Sequence, residues 1–263
     1  MEKHVKSIFS STKLDSDFVV NPYTGCMHNC IYCYARFMRK YSGHNEPWGS
    51  FVDVKINAPE LIKIDKKYAD KSILISSVTD PYQPLENKYK LTRKILEKLI
   101  TLRPNLQIIT KSDLVLRDID LLKKFKNCEV AISLSCLDER INKQLEPLAS
   151  SPGKRINVLK QLHENSIKTA LFISPIFPVL SDWEELIKRT KLSVDEYWFE
   201  NLNLYSFIRN NVYNFLRKSD PDLIKTYNQI YFKKNDYWKI VEQKIKDFCA
   251  KEKIIGRIYF HHN

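Results

Sequence analysis

Three of the chain's six cysteines fall within eight residues, in the stretch Asn21-Pro-Tyr-Thr-Gly-Cys26-Met-His-Asn-Cys30-Ile-Tyr-Cys33-Tyr-Ala-Arg36, while Cys128, Cys136 and Cys249 are scattered. Cysteines placed this unevenly do not read as a disulfide framework; they read as metal-binding or catalytic. C-x3-C-x2-C is too short to be a strand pair or a long helix, so it is a loop whose thiolates can converge on one object. Structural zinc takes four ligands, and His28 is available as a fourth, although a ligand two residues from each neighbour strains a tetrahedron. Attachment of c-type haem requires C-x-x-C-H, and Tyr34 follows Cys33. Three unrelated thiols are the bland reading, but free cysteines seldom cluster in a polar loop without chemistry. A cubane [4Fe-4S] cluster usually takes four cysteines, so three leave one iron open to another ligand, and an open iron is a reaction site.

The rest of the chain has to position that loop. Short β-branched runs alternate with amphipathic stretches, which predicts βα units and a parallel sheet. Strands are expected at about 18–21, 72–78, 106–110, 129–134, 169–174 and 196–202, giving a partial (β/α)6 TIM-like barrel. Helix starts are expected at Asn57-Ala-Pro-Glu60, at Ser151-Pro152, and at Ser181-Asp-Trp-Glu184 as a capping box. Residues 203–252 read as helical and rich in aromatics, leading to the apolar run Ile254 to Phe260. The expected organisation is a core barrel over 1–203 and a C-terminal helical extension over 204–263 packed on it. In a parallel barrel the side chains at the C-terminal strand ends converge on one mouth. There the sequence places Ser76-Ser77-Val78-Thr79-Asp80-Pro81-Tyr82-Gln83, Thr110-Lys111-Ser112, Ser133-Leu-Ser135-Cys136 and Glu200-Asn201-Leu-Asn203. Ser and Asp at such positions also serve as ordinary turn and helix caps.

These residues resemble the radical S-adenosylmethionine (SAM) superfamily, whose hallmark is C-x3-C-x2-C with an aromatic before the last cysteine, here Tyr32. The motifs N-P-Y-x-G-C-x-H-x-C-x-Y-C-Y-A, T-D-P-Y-Q-P-x-E at Thr79 to Glu86, T-K-S-x-L-V-L-R-D at Thr110 to Asp118, and Glu146-Pro147 followed by Arg155 look like its spore photoproduct lyase-related subgroup. Gly43 to Gly49 and Phe51 to Glu60 further resemble radical SAM mobile pair proteins. The resemblance implies a [4Fe-4S] cluster on Cys26, Cys30 and Cys33, with SAM on the open iron. It also implies reductive cleavage to a 5′-deoxyadenosyl radical that abstracts hydrogen from a substrate. Tyr32, Ser77, Thr79, Asp80, Lys111, Ser133, Ser135 and Glu200 are the expected cofactor-binding residues; Asp80 could equally cap the turn before Pro81, and Asn203 is a weaker candidate. Cys136 and Tyr82 are the candidate catalytic residues. Ser77 stands where the subgroup's lyase carries a hydrogen-donor cysteine, which puts dipyrimidine repair by that route in doubt. Expected partners are a substrate, with nucleic acid among the candidates, an electron donor such as flavodoxin or ferredoxin, and a second radical SAM protein.

Composition narrows the field further. In 263 residues there are five glycines, no two placed to build G-x-G-x-x-G or a Walker loop, so those routes to nucleotide binding lose their fingerprints. An apolar content of 43% supports a sizeable core. The longest apolar stretch, Ala170 to Leu180, is broken by two prolines and is too short to span a bilayer. MEKHVKSIFSST has no apolar signal segment, so a cytoplasmic protein without membrane contact is expected. The net charge of +12 suits a polyanionic partner, although Lys pairs spread along a chain are also ordinary solvated faces. The competing expectation is a non-catalytic, basic nucleic-acid-binding protein with a structural zinc loop.

Overall fold

The computed structural model describes residues 1–261. Its strands are β1 Glu2–Lys3, β2 Phe9–Ser11, β3 Phe18–Val20, β4 Tyr23–Thr24, β5 Asp53–Lys55, β6 Ser72–Ile75, β7 Asn105–Thr110, β8 Asn127–Ser133, β9 Lys168–Ile176, β10 Glu196–Asn201 and β11 Ile255–Ile258. The α-helices are α1 Arg39–Ser42, α2 Glu86–Tyr89, α3 Leu91–Leu99, α4 Ile119–Leu122, α5 Glu139–Leu145, α6 Pro152–Glu164, α7 Trp183–Thr190, α8 Ser206–Ser219, α9 Leu223–Phe232 and α10 Tyr237–Glu252. The main sheet has the order β11-β10-β9-β8-β7-β6-β3-β2. Each neighbouring pair in it is parallel except β2 and β3. The expected strands are β3 and β6 to β10, and the fold is the expected α/β partial barrel. A small sheet, β1-β5-β4, lies beside it.

Period-2 alternation decides which face of each strand meets what. One face supplies Leu106, Ile108, Val130, Ile132, Leu171, Ile173, Tyr197 and Phe199, which join Ile95 and Leu96 of α3, Val158 and Leu162 of α6, Leu186 of α7 and Ile245 of α10 in the main core. Full burial of each such side chain contributes about 1.5–3 kcal/mol. The other face lines the bore, where small Ala131 and Ala170 leave room for the Trp198 ring beside Ile109 and Phe172. A second core joins Cys30, Tyr32, Leu145 and Phe177 to Ile208, Val212 and Leu216 of α8 and Tyr227 of α9, so these two helices cover the cysteine loop.

Three local expectations change. Asn57 to Glu60 opens only a 3-10 turn, Pro59–Leu61. Asp182 rather than Ser181 caps α7, accepting from the Glu185 amide at 2.9 Å, because the Ser181 hydroxyl instead donates to the Ser135 carbonyl at 2.6 Å. The apolar run from Ile254 is no part of a helical appendage: Ile255–Ile258 is β11, a seventh parallel strand hydrogen-bonded to β10. No helix among the described residues is long and apolar enough to cross a membrane.

Candidate active site

The cysteine loop follows β4, and its shape depends on two glycines. Gly25 (φ +92°) lies against the Phe51 carbonyl and Gly49 (φ +100°) against the Asn29 side chain; a Cβ at either would collide there. Thr79 Oγ1 donates to the Gly25 carbonyl at 2.5 Å, and Gln83 reaches the same carbonyl at 3.3 Å while accepting from the Met27 amide at 3.0 Å. Behind Cys30, the Ile31 amide donates to the Leu145 carbonyl at 2.9 Å. The loop is therefore gripped by the turn after β6 and by the end of α5.

Cys26 and Cys30 are buried and Cys33 is half-buried. Burial is the first cause pushing all three thiols up, Cys26 to about 12, and the three lie within one another's fields. Lys111 opposes this at Cys30 and Cys33. Buried thiols of this kind deprotonate when they coordinate a metal, which supplies the charge that the protein interior lacks. Among the described residues no three His, Cys, Asp or Glu side chains close on a single ion. The donor set of three thiols on one short loop fits a cluster that offers several irons.

Lys111, at the end of β7, donates to Ser133 Oγ at 2.7 Å and lies 5.8 Å from the centre of the Tyr32 ring. Ser133 and Ser135 both donate to the Ser174 carbonyl, at 3.2 and 2.8 Å. The Tyr32 hydroxyl donates to Glu146, which also accepts from Asn142 at 3.1 Å and pairs with Arg155 at 2.5 Å. Arg155 and Glu146 are 0% exposed, and Arg155 further donates to the carbonyls of Ser133 and Ser150. Within the register slip between Phe199 and Asn201, Glu200 accepts from the Ser174 hydroxyl and faces His261 Nε2 at 3.2 Å.

Tyr32, Lys111, Ser133, Ser135 and Glu200 therefore come to the expected mouth. Ser77 is at its rim, its carbonyl accepting from the Tyr34 hydroxyl. Asp80 is committed inside the fold. It accepts three hydrogen bonds, from Thr110 Oγ1 (2.7 Å), the Lys111 amide (2.8 Å) and the Tyr82 amide (2.8 Å), and faces His28 Nδ1 at 3.3 Å. Burial alone would raise its pKa, but the His28 ring and these hydrogen bonds outweigh it and hold Asp80 at about 2. Of the two expectations for Asp80, the structure shows the turn cap. Tyr82 is misplaced as a catalytic residue: it is 1% exposed in the main core, its ring under Arg117 and its hydroxyl beside Asp118. Cys136 is buried too, with Asp138 and Glu146 as its charged neighbours.

Gln83, Glu146 and His261 escape prediction in these roles. Gln83 and Glu146 stand in motifs that the sequence displays, but what they hold lies 58 and 114 residues away. His261 reaches Glu200 only because β11 joins the sheet and Asn201 then accepts from the His261 amide at 2.7 Å.

The chain belongs to the radical SAM superfamily, whose sequence profile matches residues 20–190. It is a radical SAM enzyme, and that superfamily works with a [4Fe-4S] cluster and SAM. Protein MJ0683 of Methanocaldococcus jannaschii is 41% identical to it over 257 residues, 97% of this chain and 95% of that protein. A Pseudomonas phage M6 protein, the radical SAM Nalpha-GlyT isomerase, is 26% identical over 164 residues, 61% of this chain and 33% of its own. Spore photoproduct lyase complexed with dinucleoside spore photoproduct shares the fold, with a TM-score of 0.72 at 16% identity over 99% of this chain and 82% of the lyase.

Proposed function

We propose that Cys26, Cys30 and Cys33 hold the cluster, that Lys111, Ser133 and Ser135 hold SAM beside it, and that the substrate attacked at this mouth is a nucleic acid. The observation that carries this reading is the meeting of three clustered thiols, two buried and one half-buried, with Lys111 and Ser133 at the C-terminal strand ends. When bound and reduced, the cluster with SAM supplies a 5′-deoxyadenosyl radical that abstracts hydrogen from the substrate. The chain's part is to hold, orient and exclude water. The Lys111 ammonium, a point charge with three donors, suits a carboxylate or ribose oxygen. Tyr32, edge-on to Phe177 at 5.4 Å, packs apolar surface beside Cys30. Thr79 and Asp80 act through the loop and through Lys111 rather than on the ligand.

The rim supports the substrate class. Tyr34, Phe37 and Tyr41 are 47%, 41% and 68% exposed, and Arg39 and Lys40 lie between them. Tyr205 and Phe207, 37% and 46% exposed, are stacked at 5.2 Å, and Tyr34 lies within electrostatic range of both Glu200 and Tyr205, so this pair and Tyr34 flank one opening. Exposed rings interleaved with cations suit unpaired bases and phosphates. Ser77 returns no hydrogen atom, because an O–H bond is far harder to homolyse than S–H, and dipyrimidine repair by that route is not part of this proposal.

The test is anaerobic reconstitution and reduction of the chain, with and without single-stranded oligonucleotides. About four irons with matching sulfide and formation of 5′-deoxyadenosine are expected, both lost in a C26A/C30A/C33A variant. Equal SAM cleavage in the two proteins overturns the reading.

A further inference from the structure

Past β11 the chain returns to the mouth. The Tyr259 amide donates to the Phe199 carbonyl at 2.8 Å, and two residues further on Asn201 grips the main chain from its own side. Asn201 is 3% exposed; its Oδ1 accepts from the His261 amide at 2.7 Å and its Nδ2 donates to the His261 carbonyl at 3.1 Å. A buried amide that spends an acceptor and a donor on one residue fixes where that residue's side chain emerges. What emerges at the C-terminal end of β10 is an imidazole. Its Nε2 faces Glu200 Oε1 at 3.2 Å, and the other Glu200 oxygen accepts from the Ser174 hydroxyl. The Ser174 carbonyl in turn accepts from Ser133 and Ser135, so the pair stands one residue from the groups assigned to SAM. Those groups use neither Glu200 nor His261. The two side chains are 28% and 44% exposed, so the ring keeps an open side, and among the described residues nothing bonds to its Nδ1.

A carboxylate accepts only from an N–H, which puts the proton of the neutral ring on Nε2 and leaves the Nδ1 lone pair uncommitted. Glu200 is the charged group facing the ring; Tyr34, on the rim, lies within electrostatic range of Glu200. The hydrogen bond to Glu200 raises the pKa of His261 above the ordinary value of about 6.5, outweighing burial. Resting on the reading of this mouth as the place where hydrogen is abstracted, we propose that His261, oriented by Glu200, is an acid–base catalytic residue whose Nδ1 takes the proton of a hydroxyl or amino group on the carbon under attack. The O–H or N–H bond breaks, its electron pair stays on the oxygen or nitrogen, and the proton completes the imidazolium; no electron enters or leaves the chain. Loss of hydrogen from such a carbon acidifies the neighbouring O–H or N–H, because the anion shares its charge with the odd electron, so a weak base in hydrogen-bond reach suffices.

The experiment uses the reconstituted full chain with SAM, its H261Q and E200Q variants, and a single-stranded RNA, whose ribose carbons carry hydroxyls, beside a DNA of the same sequence. Gln at 261 keeps the main-chain bonds to Asn201, so the fold is not at stake. Two readouts are taken across about pH 5.5 to 8.5, the range in which histidine titrates. The first, diethyl pyrocarbonate labelling located by peptide mass spectrometry, needs no turnover: the labelling midpoint of His261 should lie above about 6.5 and fall in E200Q. The second is oligonucleotide-stimulated formation of 5′-deoxyadenosine. Because the base works deprotonated, the parent's rate should fall on the acid side; H261Q should lower the rate at least about tenfold and abolish that acid limb, with SAM affinity within about twofold, and E200Q should move the limb to lower pH. A labelling midpoint that E200Q leaves in place overturns the inference, as does an unchanged rate in H261Q. So does a slower H261Q whose acid limb persists, which would mark a structural role. Failure of both oligonucleotides to raise 5′-deoxyadenosine overturns the nucleic-acid reading instead, and the labelling midpoints then decide the pair.

Discussion

The two ends of the bore carry charge in different ways. At the N-terminal strand ends, Lys168 bridges Glu129 at 2.9 Å and Glu196 at 2.5 Å, Arg257 pairs with Glu196 at 2.7 Å, and Gln107 donates to Glu129 at 3.0 Å. Each charge there answers another, and the ladder is half open to water. At the C-terminal ends Lys111 points at a hydroxyl, three thiols share one loop, and the full ion pair, Glu146 with Arg155, is sealed beneath them. A cavity of about 580 Å³ lies at the first end and none of the three clustered cysteines lines it. Donor chemistry, not the size of a hollow, separates the working end from the structural one.

Substitutions should widen that contrast. The largest effect is expected for Glu146→Ala, which strands the wholly buried Arg155 and should cost about 3–5 kcal/mol in urea unfolding of the cluster-free chain. Asp80→Asn comes next, at about 2 kcal/mol at neutral pH. Because the folded pKa of Asp80 is depressed, its stabilisation is complete above the unfolded value of about 3.9 and is lost as pH falls through about 2. Unfolding curves of the two proteins should therefore converge below that pH, and a gap that persists there would contradict the assignment. Lys111→Met should weaken SAM binding about tenfold, or about 1.4 kcal/mol, by calorimetry on the reconstituted chain, with stability changed by less than about 1 kcal/mol. At the other end Arg257→Met, a half-exposed partner, should change stability by under about 1 kcal/mol and leave SAM affinity alone. A larger loss there than for Glu146→Ala would erase the distinction between the two ends.

Strands such as Asn105–Thr110 were legible because a two-residue period and β-branched residues survive in any context, and Cys26, Cys30 and Cys33 because their spacing is local. What stayed hidden depends on distant partners. Tyr82 sits in a motif at a strand end, yet its ring turns into the core, since the direction of a side chain in a turn depends on packing that periodicity does not encode. In the sequence Asp80 reads as much like a ligand as a cap, because the Thr110 hydroxyl and Lys111 amide that use its oxygens lie 30 and 31 residues away. The run from Ile254 could be read as apolar, but not as pairing with β10, across some sixty residues.

Arg155 has a consequence for how the molecule comes apart. One guanidinium holds the end of β8, the turn at Ser150 and, through Glu146, both α5 and the cysteine loop. These pieces therefore cannot open one at a time without uncovering an unanswered charge. Amides of α5, α6 and the loop should exchange with solvent together, as one cooperative block, so that local fraying of the metal-binding segment costs nearly as much as melting that whole quarter of the protein.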